Sequence, residues 1–401
     1  MICFGVSRGF EAMSERFESV TAERRPHADP APTPCDVEVS DWDEQTYALL
    51  VSSRLSPARR HAIAWPRQTY PDQDAVLATH WHPDGVPMEL IRHRIGALFP
   101  SRTAELVIPT PHNRLAAYGE LAGAEIDCYA PEIRDKVQLL IHLPRDRAAR
   151  ATALTGILEQ AAETRARLLL RILEELDAAG PTKRLGRVAT KITADPSALE
   201  FVQLRARKLR ALIDRNRSKT PAHVLRPRLF RLYLEALRGQ CGDRIADQGQ
   251  ALIRALSKAL KRDEPAASFH SIYDIITEVR AARGGVVVPH PQKFPGVLET
   301  NYDVDGYEVW SPGWPRKTSA LIDAIAERSA SRKARPFLMF LADDCHLGEK
   351  LRPANLRCPK RAAREIGVQA GWDDPAIRSC LERAGVTRRG VIEAYRHRLL
   401  G

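Results

Sequence analysis

The chain has 401 residues, 44% of them hydrophobic and 28% charged, with a formal net charge of +11. That composition suits one large globular domain with an accessory one, and it excludes a disordered or fibrous polypeptide. No apolar run reaches the roughly 18–20 residues of a membrane span, and the first twenty residues lack the pattern of a secretion signal. A cytoplasmic protein that does not engage a membrane is expected. The seven cysteines, Cys3, Cys35, Cys128, Cys241, Cys345, Cys358 and Cys380, are scattered and form no Cys-x-x-Cys pair. Neither a disulfide framework nor a zinc knuckle is therefore expected.

The charge is unevenly spread. Residues 145–283 hold 28 Lys and Arg against 16 Asp and Glu, while the remainder is nearly neutral at 33 against 34.

Residues 1–40 are Pro-rich and charged and read as a flexible leader. A short helix is expected at TYALLVSSRL. Seven β-forming runs follow, AVLATHWH, AELVIPTPHN, GAEIDCY, KVQLLIHL, GGVVVPHP, DGYEVW and PFLMFLADDCH. Their near-continuous apolar character suits a buried sheet covered by helices. Helices are expected at VPMELIRHRIGALF after the first and KTSALIDAIAERSAS after the sixth. The third and fourth runs lie too close for a helical crossover. The expected fold is α/β, a distorted seven-stranded βα (TIM-like) barrel with an inserted basic helical subdomain.

The insertion, residues 145–283, divides the barrel into parts at 41–144 and 284–350. A helical extension follows at 351–401, with DDPAIRSCLERAG and RGVIEAYRHRLL packing on the barrel and His397 exposed. Within the insertion, a long amphipathic run is expected to stop at Gly180-Pro181. Asp195-Pro196 and Thr220-Pro221 each place a capping residue before a proline that opens a helix. LIRALSKALKR and SIYDIITEVRAAR supply further helices.

Residue types that bind metals fall at strand ends. They are His80 and His82 in the first run, His112 in the second, His142 in the fourth, His290 in the fifth, and Asp344 and His346 in the seventh. In a βα barrel all such ends share one face. Glu125 and Glu308 lie inside apolar runs, where a carboxylate needs a cation or a hydrogen-bond network. Shared metal ions answer that need for Glu125; Glu308 is left without an assigned role. Cys345 alternates away from its neighbours and reads as packing.

These motifs resemble the PHP superfamily, named for polymerase-associated and histidinol-phosphatase domains, over roughly residues 76–350. Its opening His-x-His followed by Ser-Asp-Gly resembles His80, His82 and Asp84-Gly85, and its Thr-Asp-His-Asn resembles Thr110-Pro111-His112-Asn113. Its metal-bridging glutamate resembles Glu125. The following histidine resembles His142, the His-Pro resembles His290-Pro291, and the closing Asp-x-His resembles Asp344 and His346. The sequence departs from the family at Pro111, which replaces an aspartate, and in the short spacing from His82 to Asp84.

The resemblance implies a distorted seven-stranded βα barrel holding two or three divalent ions, Mn, Fe or Zn, with Asp84 and His112 on the third-metal arm. It further implies a metal-dependent hydrolase that attacks a phosphoester with a metal-activated hydroxide. Arg114, Lys293, Lys350 and Arg352, just beyond ligand positions, are candidate phosphate-binding cations. The leading reading is a phosphoesterase for a phosphomonoester or nucleotide-like substrate, drawn in by the basic insertion. A nuclease or nucleic-acid-processing enzyme, and a non-catalytic metal-binding scaffold, are the alternatives.

Overall fold

Ten strands form among the described residues, nine of them from the apolar runs, and these make three separate sheets, none of them closed. The computed structural model describes residues 38–401 apart from 53, 179–181, 264–268, 295 and 333–334. The expected leader lies outside the described residues except for 38–40, as does the expected Gly180-Pro181 stop.

The seven-stranded barrel is not formed. The first expected run divides into β1 (Ala75–Ala78) and β2 (Trp81–His82), which pair with different partners. β1 runs parallel to β3 (Ala104–Val107), whereas β2 runs parallel to β10 (Cys345–His346). The third and fourth runs become an antiparallel hairpin of β5 (Leu121–Ala130) and β6 (Asp135–Pro144), with Leu121 opposite Pro144 and Ala130 opposite Asp135. With β4 (Ala116–Tyr118), β7 (Gly285–Val288), β8 (Gly306–Trp310) and β9 (Leu338–Leu341) they give a six-stranded sheet of order β4-β5-β6-β7-β8-β9. Only β7, β8 and β9 are mutually parallel. The short link after the third run explains the change, since only an antiparallel return is within its reach. The seventh run breaks between β9 and β10, where Asp344 adopts the left-handed region at φ 44°.

Two apolar layers cover the large sheet. Ile126, Ile141, Val286, Tyr307 and Val309 pack with the helices Ile272–Ala281, Thr318–Ser331 and Pro375–Arg383. On the opposite face Leu140, Val287 and Phe340 meet β1, β3 and the C-terminal helix Arg388–Leu400 through Val391, Ile392, Tyr395 and Leu399. The expected helix after the first run is Met88–Leu98, and His397 is exposed.

The chain divides into two compact units. The sheets lie in the unit made of Arg60–Glu163, Pro265–Leu351 and Arg357–Gly401. The other unit comprises the described residues of Met1–Arg59, Thr164–Glu264 and Arg352–Leu356, and it is helical. Asp195 caps the helix Pro196–Arg215 as expected, its carboxylate accepting from the backbone N–H of Ser197. Thr220-Pro221 does not open an α-helix. Thr220 instead donates to the Asn216 carbonyl at 2.9 Å and accepts from the Tyr47 hydroxyl at 2.7 Å, and only a 3-10 turn, Ala222–Val224, follows. The core of this unit surrounds Asp43, which is 1% exposed and binds Lys208 at 3.0 Å, the Tyr233 hydroxyl and Ser40.

Candidate metal centre

Where β1 gives way to β2, Thr79 and His80 carry the chain from one small sheet to the other. His80 and His82 are each 1% exposed, and their ring centroids stand 5.5 Å apart. Glu125 comes to them on β5, and His112 comes to Glu125 for a local reason. A Cβ on Gly123 would lie 2.8 Å from the carbonyl oxygens of both Pro109 and Ile141, so only glycine lets the segment before His112 run against β5. The backbone N–H of Asn113 then donates to Glu125 O at 2.7 Å, and that of Glu125 to Pro111 O at 3.1 Å. The result brings His112 Nδ1 to 2.7 Å from Glu125 Oε2. Pro111, the departure from the family motif, serves here through its carbonyl.

Three overlapping groups of ligand-type atoms result, with all atoms of a group within 4.8 Å of one another. They are His80, His290 and Asp344; His80, His82 and Glu125; and His82, His112 and His346. The two shared histidines, His80 and His82, link the groups into a chain. Seven of the nine residues expected as ligands thus come together. Asp84 stands beside them, its Oδ2 3.1 Å from His346 Nδ1.

Metal ions fit this arrangement on the evidence of His82. Its ring is buried, yet neither nitrogen makes a hydrogen bond. Nε2 lies 3.4 Å from Glu125 Oε2, and the ring stacks on His346 at 4.1 Å with a 7° interplanar angle. A buried imidazole without partners is costly. Burial, followed by the neighbouring His346 and His112, holds its pKa well below the usual value. The ring is therefore neutral, the form that ligates.

The carboxylates around the cluster divide their work. Burial raises Asp344, but His346, His80 and His290 outweigh it and hold the carboxyl well below its ordinary range. Its Oδ1 faces His346 Nε2 at 3.5 Å and His80 Nε2 at 3.9 Å. Adjacent Asp343 turns away and accepts the backbone N–H groups of Gly367 at 2.6 Å and Cys345 at 3.3 Å. Burial pushes its carboxyl up to about 7. Cys345 belongs to none of the groups, and its thiol donates to Arg364 O.

Backbone strain concentrates at the same place. Asp84, Asn113, His290 and Asp344 make up half of the eight non-glycine residues at positive φ among the described residues. Such conformations cost about 1–3 kcal/mol each and collect where a structure must aim a side chain.

His142 is not brought into the groups. Its Nε2 donates to Thr79 O at 3.1 Å, and its Nδ1 accepts from the Tyr395 hydroxyl at 2.8 Å. Both nitrogens are thereby used, and burial holds the ring's pKa down to about 3. Gly285 makes room for that hydroxyl, with which a Cβ there would collide.

Sequence reasoning left three participants unassigned. Glu308 accepts from His80 Nδ1 at 2.7 Å, Ser311 reaches His290 Nδ1 at 3.2 Å, and Arg364 binds Asp344. A carboxylate inside an apolar strand was the available signal for Glu308; Ser311 and Arg364 carry none.

The expected phosphate-binding cations are dispersed. Lys293 lies in the 3-10 turn immediately after His290, with Nζ 5.3 Å from the Trp314 ring. Burial lowers its pKa, against the pull of Glu125, Asp344 and Glu308. Arg114 is exposed. Lys350 is occupied by Glu365 at 2.7 Å and Ala362 O at 2.6 Å, and Arg352 belongs to the helical unit.

Among solved structures, a crystal structure from Bifidobacterium adolescentis, described as a "putative metal-dependent phosphoesterase", is similar to this chain. The two are 17% identical, the match covers 79% of this chain and 99% of that one, and the TM-score is 0.40. No family model matches the chain, and no curated protein does. No helix among the described residues is long and apolar enough to cross a membrane.

Proposed function

We propose that the chain is a metal-dependent phosphoesterase, a member of the PHP superfamily, acting on a phosphomonoester or nucleotide-like substrate. The observation that carries this reading is the chain of three ligand groups joined by two buried histidines. One shared histidine, His82, has no hydrogen-bond partner on either nitrogen. Imidazoles and carboxylates without thiolates suit Mn, Fe or Zn. Divalent ions held by these residues would supply water activation and neutralise charge on a phosphoryl group.

The chain's own residues supply the rest. His80, His82, Glu125, His290 and Asp344 would hold divalent ions, and His112 and His346 with His82 would offer a third position. Burial keeps bulk water from His80 and His82, which strengthens every charge interaction around them. Lys293, in the turn directly after His290, is the candidate cation for a phosphoryl oxygen. Some of the helical unit's basic residues pair within it, although Lys and Arg outnumber Asp and Glu there. Arg238 pairs with Glu235, Asp243 and Asp247, Arg184 with Glu175 and Asp263, and Arg205 and Lys208 with Asp43.

Hydrolysis of a nitrophenyl phosphate ester, a dinucleotide and single-stranded DNA, with each metal and with chelator, tests the proposal. Chelator-sensitive release of nitrophenol or inorganic phosphate is expected. Inactivity on all three with every metal loaded would overturn it.

A further inference from the structure

Glu308 lies in the middle of β8, where every residue is buried, and is itself 1% exposed. Tyr307 and Val309 face the apolar layer, so the alternation of the strand turns Glu308 to the other side. A lone carboxylate there is costly unless both oxygens are used. They are. Oε1 accepts from His80 Nδ1 at 2.7 Å, and Oε2 accepts the backbone N–H of His290 at 3.3 Å and lies 3.4 Å from His290 Nδ1.

We propose that Glu308 is a positioning residue that presents His80 and His290 as paired ligands for one divalent ion; this rests on the metal-binding reading above. The carboxylate belongs to none of the three ligand groups. It holds two members of one of them, His80 and His290, whose rings stand 5.2 Å apart. A carboxylate that holds Nδ1–H of His80 fixes the tautomer and leaves Nε2 as the lone-pair donor. That Nε2 is the atom facing Asp344, the third member, at 3.9 Å. On the His290 side, the bond from the backbone N–H steadies a residue held at φ 48°, and Ser311 Oγ adds a second contact to Nδ1 at 3.2 Å. One buried side chain thus sets the ring of one ligand and the backbone of the other. The group of His82, His112 and His346 contains neither.

The test is titration of the metal-free full-length protein with Mn²⁺ or Zn²⁺ by calorimetry, in wild type, Glu308→Gln and Glu308→Ala, with melting temperatures recorded alongside. Loss of such an outer contact weakens metal binding by about 10–100-fold. Glu308→Ala is expected to show that loss at the positions that include His80, with the ion at His82, His112 and His346 retained. Glu308→Gln, which keeps an acceptor for His80, should fall between it and wild type. Because Gln is nearly the same shape, it provides the result if the alanine variant fails to fold. Wild-type affinity in both variants, even with lowered melting temperatures, would show Glu308 to be merely structural and overturn the inference. A wild type that binds no divalent ion would instead overturn the metal-binding reading, and the inference with it.

Discussion

Arg364 reaches Asp344 twice, with Nη1 2.5 Å from its Oδ2 and 3.0 Å from its carbonyl oxygen. The guanidinium occupies one carboxylate oxygen and leaves Oδ1 facing His80 and His346. Asp344 is thereby fixed as a one-oxygen donor while its backbone is held in the left-handed region. Arg364→Ala should weaken metal binding by about 10–100-fold with the fold intact. Competition against a chromophoric chelator measures this, and unchanged affinity would mean that the ion pair serves packing alone.

His142 separates ligation from support. A His142→Gln variant should bind as many metal ions as wild type, because both ring nitrogens are already spent on Thr79 and Tyr395. It should nevertheless be less stable, by about 1–3 kcal/mol for the buried partners it leaves. Loss of one ion per chain in elemental analysis would restore His142 to the ligand set.

The same residue predicts acid lability. Its pKa is held down to about 3 in the folded chain, against 6.5 for the unperturbed group. The unfolded chain therefore binds the extra proton first. The stabilisation is complete above about pH 6.5 and is lost as the pH falls towards 3. Each pH unit in that window costs up to about 1.4 kcal/mol. Denaturant unfolding of the metal-free protein from pH 7 to pH 4 should show a slope shallower by about one proton in His142→Gln. Equal slopes would contradict the assignment.

Asp84 owes its place to Gly348, where an added Cβ would come within 2.7 Å of Asp84 Cβ. Gly348→Ala should push Asp84 away from His346, at a cost of about 1–3 kcal/mol for the overpacking. Binding at the position of His82, His112 and His346 should weaken more than at the other two. Uniform weakening would show a general disturbance.

In the helical unit, Asp43 is the residue to remove. Burial raises its pKa, but Tyr233, Ser40 and Lys208 together hold it below the usual value. Its stabilisation is present above the unfolded value and disappears as the pH falls through the folded one. Asp43→Ala should cost about 3 kcal/mol, the low end for breaking a buried pair because Lys208 keeps some solvent contact. Helical content followed by circular dichroism during denaturation should report it, with metal stoichiometry unchanged.

Much of the site was legible in the sequence, because imidazoles at the ends of apolar runs announce themselves wherever those runs pair. The pairing was not legible. His142 shares a face with Glu125, yet it stands opposite Gly123, two residues along the hairpin. That is roughly 7 Å from Glu125's own position, a distance set by register. The barrel failed on a similar point: whether AVLATHWH runs as one strand or changes sheet at Thr79–His80 depends on partners far away in the chain. Glu308 and His80 are 228 residues apart, and no spacing rule links them. The helices were easier, since Asp195-Pro196 and the apolar periodicity act locally.

The central claim is that His80 and His82 join three ligand groups into one metal centre. Elemental analysis of the purified protein, after equilibration with Mn²⁺, Fe²⁺ or Zn²⁺ and removal of free ion, tests it most directly when paired with His82→Ala. The account predicts at least two divalent ions per chain in wild type, falling in the variant, because His82 serves two of the three groups. A wild type free of divalent metal, or a His82→Ala variant with undiminished metal content, would contradict it.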